Sequence, residues 1–218
     1  LINNNTENFH HIYNVLRVKI GEKVEVVDIL SNKLYITEVK DKFGNLKVEK
    51  IIEDEENTTR VTIYQAAIKG ERFEYFLEKT TELGVDRIKV IPLKRNVVKF
   101  KENEITKKEE RFRKILESSS KQSRRVNIPE IKIIGNMKQT LKEIEKEDIV
   151  FVLYENILED SISMKKMVDT IIEGKCKNIG IVIGAEGGID ISEIEELRKC
   201  DNIRVVTLGK RILRAETA

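Results

Sequence analysis

The sequence predicts an α/β protein in which a small all-β domain precedes a parallel sheet covered by helices on both faces. Apolar and polar residues alternate up to about residue 68, and from Val61 onward apolar strands alternate with helical segments. The chain has 218 residues, 40% of them hydrophobic and 36% charged. That length can bury a core, and that balance suits a folded chain better than a disordered one. The domains are expected at 1–68 and 69–218.

The elements follow in order. Residues 23–26 (Lys-Val-Glu-Val), 34–39 (Leu-Tyr-Ile-Thr-Glu-Val) and 46–49 (Leu-Lys-Val-Glu) have period two, with Phe43-Gly44-Asn45 as a turn. Several short half-buried strands in under 70 residues suggest a small barrel or sandwich. Val61-Thr62-Ile63 begins the second rhythm. Phe73, Phe76, Leu77 and Thr80 then fall at helical spacing over 72–83, and Gly84 stands where a helix C-cap belongs. A strand at 87–91 stops at Pro92, and a basic helix is expected from about Lys107 to Ser120. Residues 149–153, 179–183 and 205–208 are almost wholly apolar. Continuous apolar strands separated by amphipathic helices indicate a parallel sheet buried on both sides.

Forty Lys and Arg against 38 Asp and Glu give a formal net charge of +2. The distribution is more informative than the sum. Residues 99–125 hold ten cations against five anions, and residues 140–173 hold four against nine, so the first region can face phosphate and the second should not. No apolar run approaches the ~20 residues of a membrane helix, and no signal peptide opens the chain, so the reading is cytoplasmic. The chain opens on Leu1 and stops at Ala218 with no terminating signal, which reads as trimming at both ends. Cys176 and Cys200 lack partners at metal-ligand or disulfide-framework spacing and are expected as ordinary buried or half-buried thiols.

Three stretches could carry chemistry. The strand at 179–183 runs into Gly184-Ala185-Glu186-Gly187-Gly188, and Asp190 with Glu193 has the spacing of a capping box. Such a loop brings backbone groups close to a ligand, although a plain tight turn would also use these glycines. It matches neither dinucleotide nor Walker patterns, and the Glu186 carboxylate would repel a pyrophosphate, so a nucleoside-like ligand fits better. The second stretch, residues 208–217, follows the last strand. Leu153-Tyr154-Glu155 ends a third strand, either at a ligand or as a solvated strand end. In open α/β sheets ligands sit beyond the carboxyl ends of the strands. A further basic stretch comprises Arg111-Phe112-Arg113-Lys114, then Ser118 to Arg125, with Lys94-Arg95 at another strand end. Cations interleaved with hydroxyl and amide donors suit a phosphate backbone, and a solvated helix face is the competing reading.

Six segments in order closely resemble the RsmE family of ribosomal RNA methyltransferases. They are residues 10–17 (His-His-Ile-Tyr-Asn-Val-Leu-Arg), 69–72 (Lys-Gly-Glu-Arg), 79–85 (Lys-Thr-Thr-Glu-Leu-Gly-Val), 121–123 (Lys-Gln-Ser), 183–188 (Ile-Gly-Ala-Glu-Gly-Gly) and 208–218. The resemblance implies an N-terminal PUA-like β-barrel for RNA, followed by a SPOUT α/β domain with a C-terminal trefoil knot, working as a homodimer. It implies S-adenosylmethionine held by Leu153, Tyr154, Glu155, Ile183, Gly184, Ala185, Glu186, Gly187, Leu208, Gly209, Ile212, Leu213, Ala215 and Thr217. It also implies methylation of uridine N3 in 16S ribosomal RNA or the small ribosomal subunit, with no metal. Ala185 stands where the family commonly has Pro, and relatives continue past Thr217 into a further helix.

Uracil N3 carries a proton at neutral pH, so a site acting on it must remove that proton or stabilise charge spreading onto O2 and O4. Arg214 is expected to stabilise or position the base, as a rigid fork of donors, or else to bind loop carbonyls. Glu186 and Glu216 are the candidate bases, and each could instead anchor a loop. Arg17, Arg95, Lys121, Arg124 and Arg125 are the expected RNA contacts. His10 and His11 are read as packing or RNA-contact residues, not as a catalytic pair. The competing functions are a non-catalytic RNA-binding or ribosome-assembly module, and a SPOUT methyltransferase acting on tRNA or on a ribose 2′-OH.

Overall fold

Period-two alternation at the start of the chain produces an antiparallel sheet, and a computed structural model describes it within residues 6–28, 31, 33–53 and 59–218. A short helix α1 (Glu7–His10) continues as a π-helical turn, His11–Val15. Strands β1 (Lys23–Asp28), β2 (Lys33–Val39) and β3 (Leu46–Glu53) follow and pair in the order β1-β2-β3. The register shifts between Ile36 and Thr37. This bulge resets the alternation, so β2 buries Leu34, then Thr37 and Val39. The Thr37 hydroxyl satisfies itself by donating to the Val24 carbonyl at 2.9 Å. The β2–β3 turn is closed by Asp41, which accepts from the N–H of Phe43 at 2.8 Å and of Asn45 at 3.1 Å, with Gly44 at φ +96°.

The second unit is a seven-stranded sheet with helices between its strands. Its elements are β4 (Arg60–Ala66), α2 (Gly70–Glu82), β5 (Arg87–Ile91), α3 (Glu102–Gln122), β6 (Glu130–Ile133), α4 (Met137–Ile144), β7 (Ile149–Leu153), β8 (Ile162–Ser163), α5 (Met164–Gly174), β9 (Asn178–Ile183), α6 (Ile191–Leu197) and β10 (Ile203–Thr207). The strand order is β6-β5-β4-β9-β7-β10-β8, and every pairing is parallel. The apolar runs are explained by burial on both faces. In β7, Val150 and Val152 join one core cluster with Ala185, Ile189 and Ile194, while Ile149 and Phe151 join another with Met167 and Val206.

The division between the units falls at Glu56 and Asn57, not at residue 68. The strand begun at Val61-Thr62-Ile63, read as the start of the second rhythm, lies inside the parallel sheet, paired with β5 on one side and β9 on the other. Helix α2 buries Phe73, Phe76, Leu77, Thr80 and Thr81 and ends as expected, with Gly84 at φ +97° just past Leu83. Helix α3 starts at Glu102, earlier than its cations suggest, because Glu102 and Glu104 supply the negative charge a first turn favours. Strand β6 was not expected. It is four residues long at the sheet edge, with alternate residues exposed, so it lacks the continuous apolar signature of the central strands. Among the described residues no helix is long and apolar enough to cross a membrane.

At the other end of the sheet from the loops described below, Tyr64, wholly buried, donates to Glu147 Oε1 at 3.0 Å, and Arg87 pairs with Glu147 Oε2 at 3.2 Å. Beside them Glu143 is held by Lys146 at 2.6 Å and by Lys89. Hydrogen bonds from Lys146 and Lys89 lower the Glu143 carboxyl to about 2. A carboxyl depressed in the folded state adds stability above its unfolded pKa and loses that contribution as pH falls through the folded value. Lys89→Met is therefore expected to cost more stability at about pH 6 than at about pH 2.5 in urea denaturation. An equal cost at both values would remove this ion pair from the account.

Candidate active site

Strands β9, β7 and β10 are neighbours, and their carboxyl ends are level: Leu153 lies opposite Ile183 on one side and Val206 on the other. The segments leaving them must therefore emerge side by side. They enclose a cleft of ≈ 260 Å³ lined by Leu153 to Glu155, Ile183 to Gly188 and parts of 208–218. Of the residues expected to hold a cofactor, all but Thr217 line this cleft. Gly188, Arg211 and Ala218 line it as well. Thr217 instead donates its N–H to the Arg214 carbonyl at 2.9 Å, closing a turn with Ala218.

The glycine loop is both a tight turn and a cleft wall. The Gly188 N–H donates to the Ala185 carbonyl at 2.9 Å, and Gly188 sits at φ +72°, a conformation that costs a residue with a Cβ. A side chain there would also collide with the Glu155 carboxylate. A Cβ on Gly184 would press on Ile189 and on the Gly188 backbone, at 3.0 and 3.2 Å. Gly187 differs: its added Cβ would meet Arg95 at 3.0 Å, so bulk there acts on the loop's support. The capping box expected at the start of α6 is present, with Asp190 accepting from the Ser192 N–H at 3.1 Å and Glu193 from the Asp190 N–H at 3.2 Å.

Two anchors hold this loop to the neighbouring half of the sheet. Gln65, fully buried at the end of β4, donates from Nε2 to the Gly184 carbonyl at 3.2 Å and to the Ala66 carbonyl at 2.8 Å. It was absent from the expected site. Its signal in the sequence was a carboxamide inside the otherwise core-forming run Tyr64-Gln65-Ala66-Ala67, a placement that requires hydrogen bonding. The second anchor is Glu186, whose Oε1 accepts the Lys69 N–H at 3.3 Å at the start of α2. Of its two expected roles, base and loop anchor, the geometry displays the anchor. Arg214 is exposed, between cleft-lining Leu213 and Ala215. Among the described residues its guanidinium has no hydrogen-bond or ion-pair partner. Glu216 is half-buried and outside the cleft wall.

The expected RNA cations separate into two groups. Lys121 and Arg124 are exposed at the end of α3, Arg124 in a left-handed conformation at φ +59°, and Arg17 is exposed in the first unit at φ +53°. Arg125 is instead a structural residue. Its Nη1 donates to the carbonyls of Thr81, in the last turn of α2, and of Val85, just beyond it, both at 2.8 Å. Arg95 is likewise engaged, with the glycine loop. A guanidinium and a run of exposed cations look alike in sequence, and only the position of the carbonyls tells them apart.

Comparisons with known proteins cover nearly the whole chain. An RNA methyltransferase domain model matches residues 55–218, and an RNA methyltransferase PUA domain model matches residues 4–52. Ribosomal RNA small subunit methyltransferase E of Bacillus subtilis is 32% identical, over 97% of this chain and 84% of its own length. The protein of the same name from Mesomycoplasma hyopneumoniae is 29% identical, over 100% of this chain and 93% of its own. The crystal structure of the Neisseria gonorrhoeae protein of that name, bound to S-adenosyl methionine, superposes with a TM-score of 0.80 at 27% identity, covering 97% of this chain and 85% of that one.

The role of Arg125 can be checked directly. Arg125→Ala leaves two carbonyls of nearly inaccessible residues without their charged donor, which should cost about 2–3 kcal/mol in urea denaturation. A change below about 0.5 kcal/mol, within the range of ordinary surface substitutions, would remove this structural role from Arg125.

Proposed function

The chain belongs to the RNA methyltransferase family, in the RsmE group that methylates ribosomal RNA, and on that footing we propose that it transfers the methyl group of S-adenosylmethionine to N3 of a uridine in 16S ribosomal RNA. The observation that carries the reading is the single cleft formed by three level strand ends.

The residues present fit that cofactor. Leu153, Ile183, Leu208 and Leu213 give apolar walls, and the glycine loop and Gly209 bring bare backbone to the cleft. Among the lining side chains Glu155 and Glu186 oppose one cation, Arg211, a balance that favours a positively charged nucleoside over a polyphosphate. When bound, the cofactor supplies a methyl group on a sulfonium, already activated for attack. The protein then has two tasks. It must hold uracil in line, where orientation can remove roughly 7–11 kcal/mol of barrier, and it must manage the N3 proton. Arg214, unpaired beside the cleft wall, stabilises the charge that spreads onto O2 and O4 as N3 loses its proton. Glu186, which lines the cleft while its Oε1 accepts the Lys69 N–H, and Glu216 are the two candidate carboxylates to accept that proton.

The remaining parts belong to the same proposal. The β1–β3 sheet forms part of a PUA-like barrel that binds RNA, a reading supported by the family match over residues 4–52. Residues 208–218 belong to a trefoil knot, supported by the place of β9 between β4 and β7 in the sheet although β7 precedes it in the chain. A second copy completes a homodimer and its RNA surface, and work on ribosomal RNA places the enzyme in the cytoplasm. Arg17, Lys121 and Arg124 contact phosphate.

The test is transfer of labelled methyl groups to 16S ribosomal RNA from cells lacking this enzyme, with the product nucleotide mapped by mass spectrometry. The expected product is one uridine methylated at N3, with Arg214→Ala slowing turnover by about 10²–10³-fold, as for loss of a charge-stabilising donor. Cofactor binding without transfer would identify an RNA-binding module, and methyl on ribose or on tRNA a different enzyme. A second measurement concerns RNA affinity. The Lys121→Ala/Arg124→Ala double variant should flatten the salt dependence by about 1.5–2 units of slope, as for two lost phosphate contacts. An unchanged slope would remove both from the interface.

A further inference from the structure

Beyond β5 the chain turns through Pro92 to Asn96, and this turn is tightly held. The Asn96 N–H donates to the Leu93 carbonyl and the Asn96 carboxamide to the Ile91 carbonyl, both at 3.1 Å. Leu93 is buried in the same core cluster as Ala185 and Ile189. Lys94 and Arg95 are thereby carried against the glycine loop. The Lys94 N–H donates to Glu193 Oε1 at 2.8 Å, and its Nζ to the Ser192 hydroxyl at 2.5 Å. Arg95 spans the loop with its fork: Nη1 donates to the Gly187 carbonyl and Nη2 to Asp190 Oδ2, each at 3.1 Å. Its Cβ also covers the face of Gly187 where a side chain would otherwise stand.

Gly187 lines the cleft and Arg95 does not. We infer that Arg95 is a positioning residue, which fixes the glycine loop in the conformation that receives the cofactor, and that it is not part of the RNA contact surface. The inference rests on the cofactor reading above. Its physical basis is that one planar guanidinium ties the carbonyl in the middle of the loop to the N-cap carboxylate of α6, so the loop cannot shift relative to the helix without breaking two charge-assisted bonds. Lysine offers one point charge and cannot span both acceptors.

Calorimetric titration of the wild-type chain with S-adenosylmethionine comes first, and absence of binding there would overturn the cofactor reading itself. Given binding, Arg95→Ala should raise the dissociation constant about tenfold, as for loss of a charged hydrogen-bond pair. RNA affinity and its salt slope should stay at the wild-type level. Arg95→Lys should recover little of the cofactor affinity. In turnover the defect should appear in KM for the cofactor more than in kcat. Wild-type cofactor affinity in Arg95→Ala, full recovery by lysine, or a loss confined to RNA with a flatter slope would each overturn the assignment. Asp190→Asn keeps an N-cap acceptor while removing the ion pair, and it decides the matter if Arg95→Ala does not fold. About threefold weaker cofactor binding supports the clasp, and unchanged binding refutes it.

Discussion

The molecule depends on one constraint of strand order. The strands β9, β7 and β10 are separated in sequence by helices, yet they lie side by side and stop at the same level. Parallel pairing alone requires each strand to send its next segment out of the same edge, and level register brings those exits within reach of one ligand. The cleft is built on that edge. A shift of one strand by a residue would carry its loop away from the others and turn its apolar side chains to the wrong core.

The loops at the edge are not self-supporting. Glycine makes the turn at 184–188 possible and leaves it without side chains of its own to brace it. The support comes from the other half of the sheet: the Gln65 carboxamide, the N–H of Lys69 and the Arg95 guanidinium. Polar groups that would be costly to bury alone are thus used to hold backbone carbonyls and a loop carboxylate. An internal arginine appears also at the end of α2, where Arg125 ties the Thr81 carbonyl to that of Val85 in the turn that follows. Arg95 and Arg125 act here as internal donors, while Arg17, Lys121 and Arg124 are exposed.

Much of the fold was legible because burial leaves a periodic trace. The central strands are apolar on both sides and stand out as runs, and the buried stripe of α2 repeats at helical spacing. The edge strand β6 was missed because an edge with alternate residues exposed resembles a loop. The boundary expected at residue 68 cut off Val61-Thr62-Ile63, already legible as the start of the second rhythm, from the sheet in which it pairs with β5 and β9. The cleft-lining segments were found from their positions at strand ends and their glycines. The fate of individual charged residues was not. Glu186 and Arg95 differ from free surface charges only in what lies within 3.3 Å of them.

By itself, then, the sequence determined the central strands and the buried stripe of α2, the two kinds of sheet, the capping box at Asp190 and the family to which the ordered motifs belong. These are local properties, set by neighbours along the chain and by the period of burial. The tertiary structure decided that three strand ends share one cleft, that Gln65 and Arg95 brace its wall, and that Arg125 closes a helix. Those outcomes depend on distances between residues up to 119 positions apart, and a hydrogen bond is specified by where its partner stands in space, which no local pattern records.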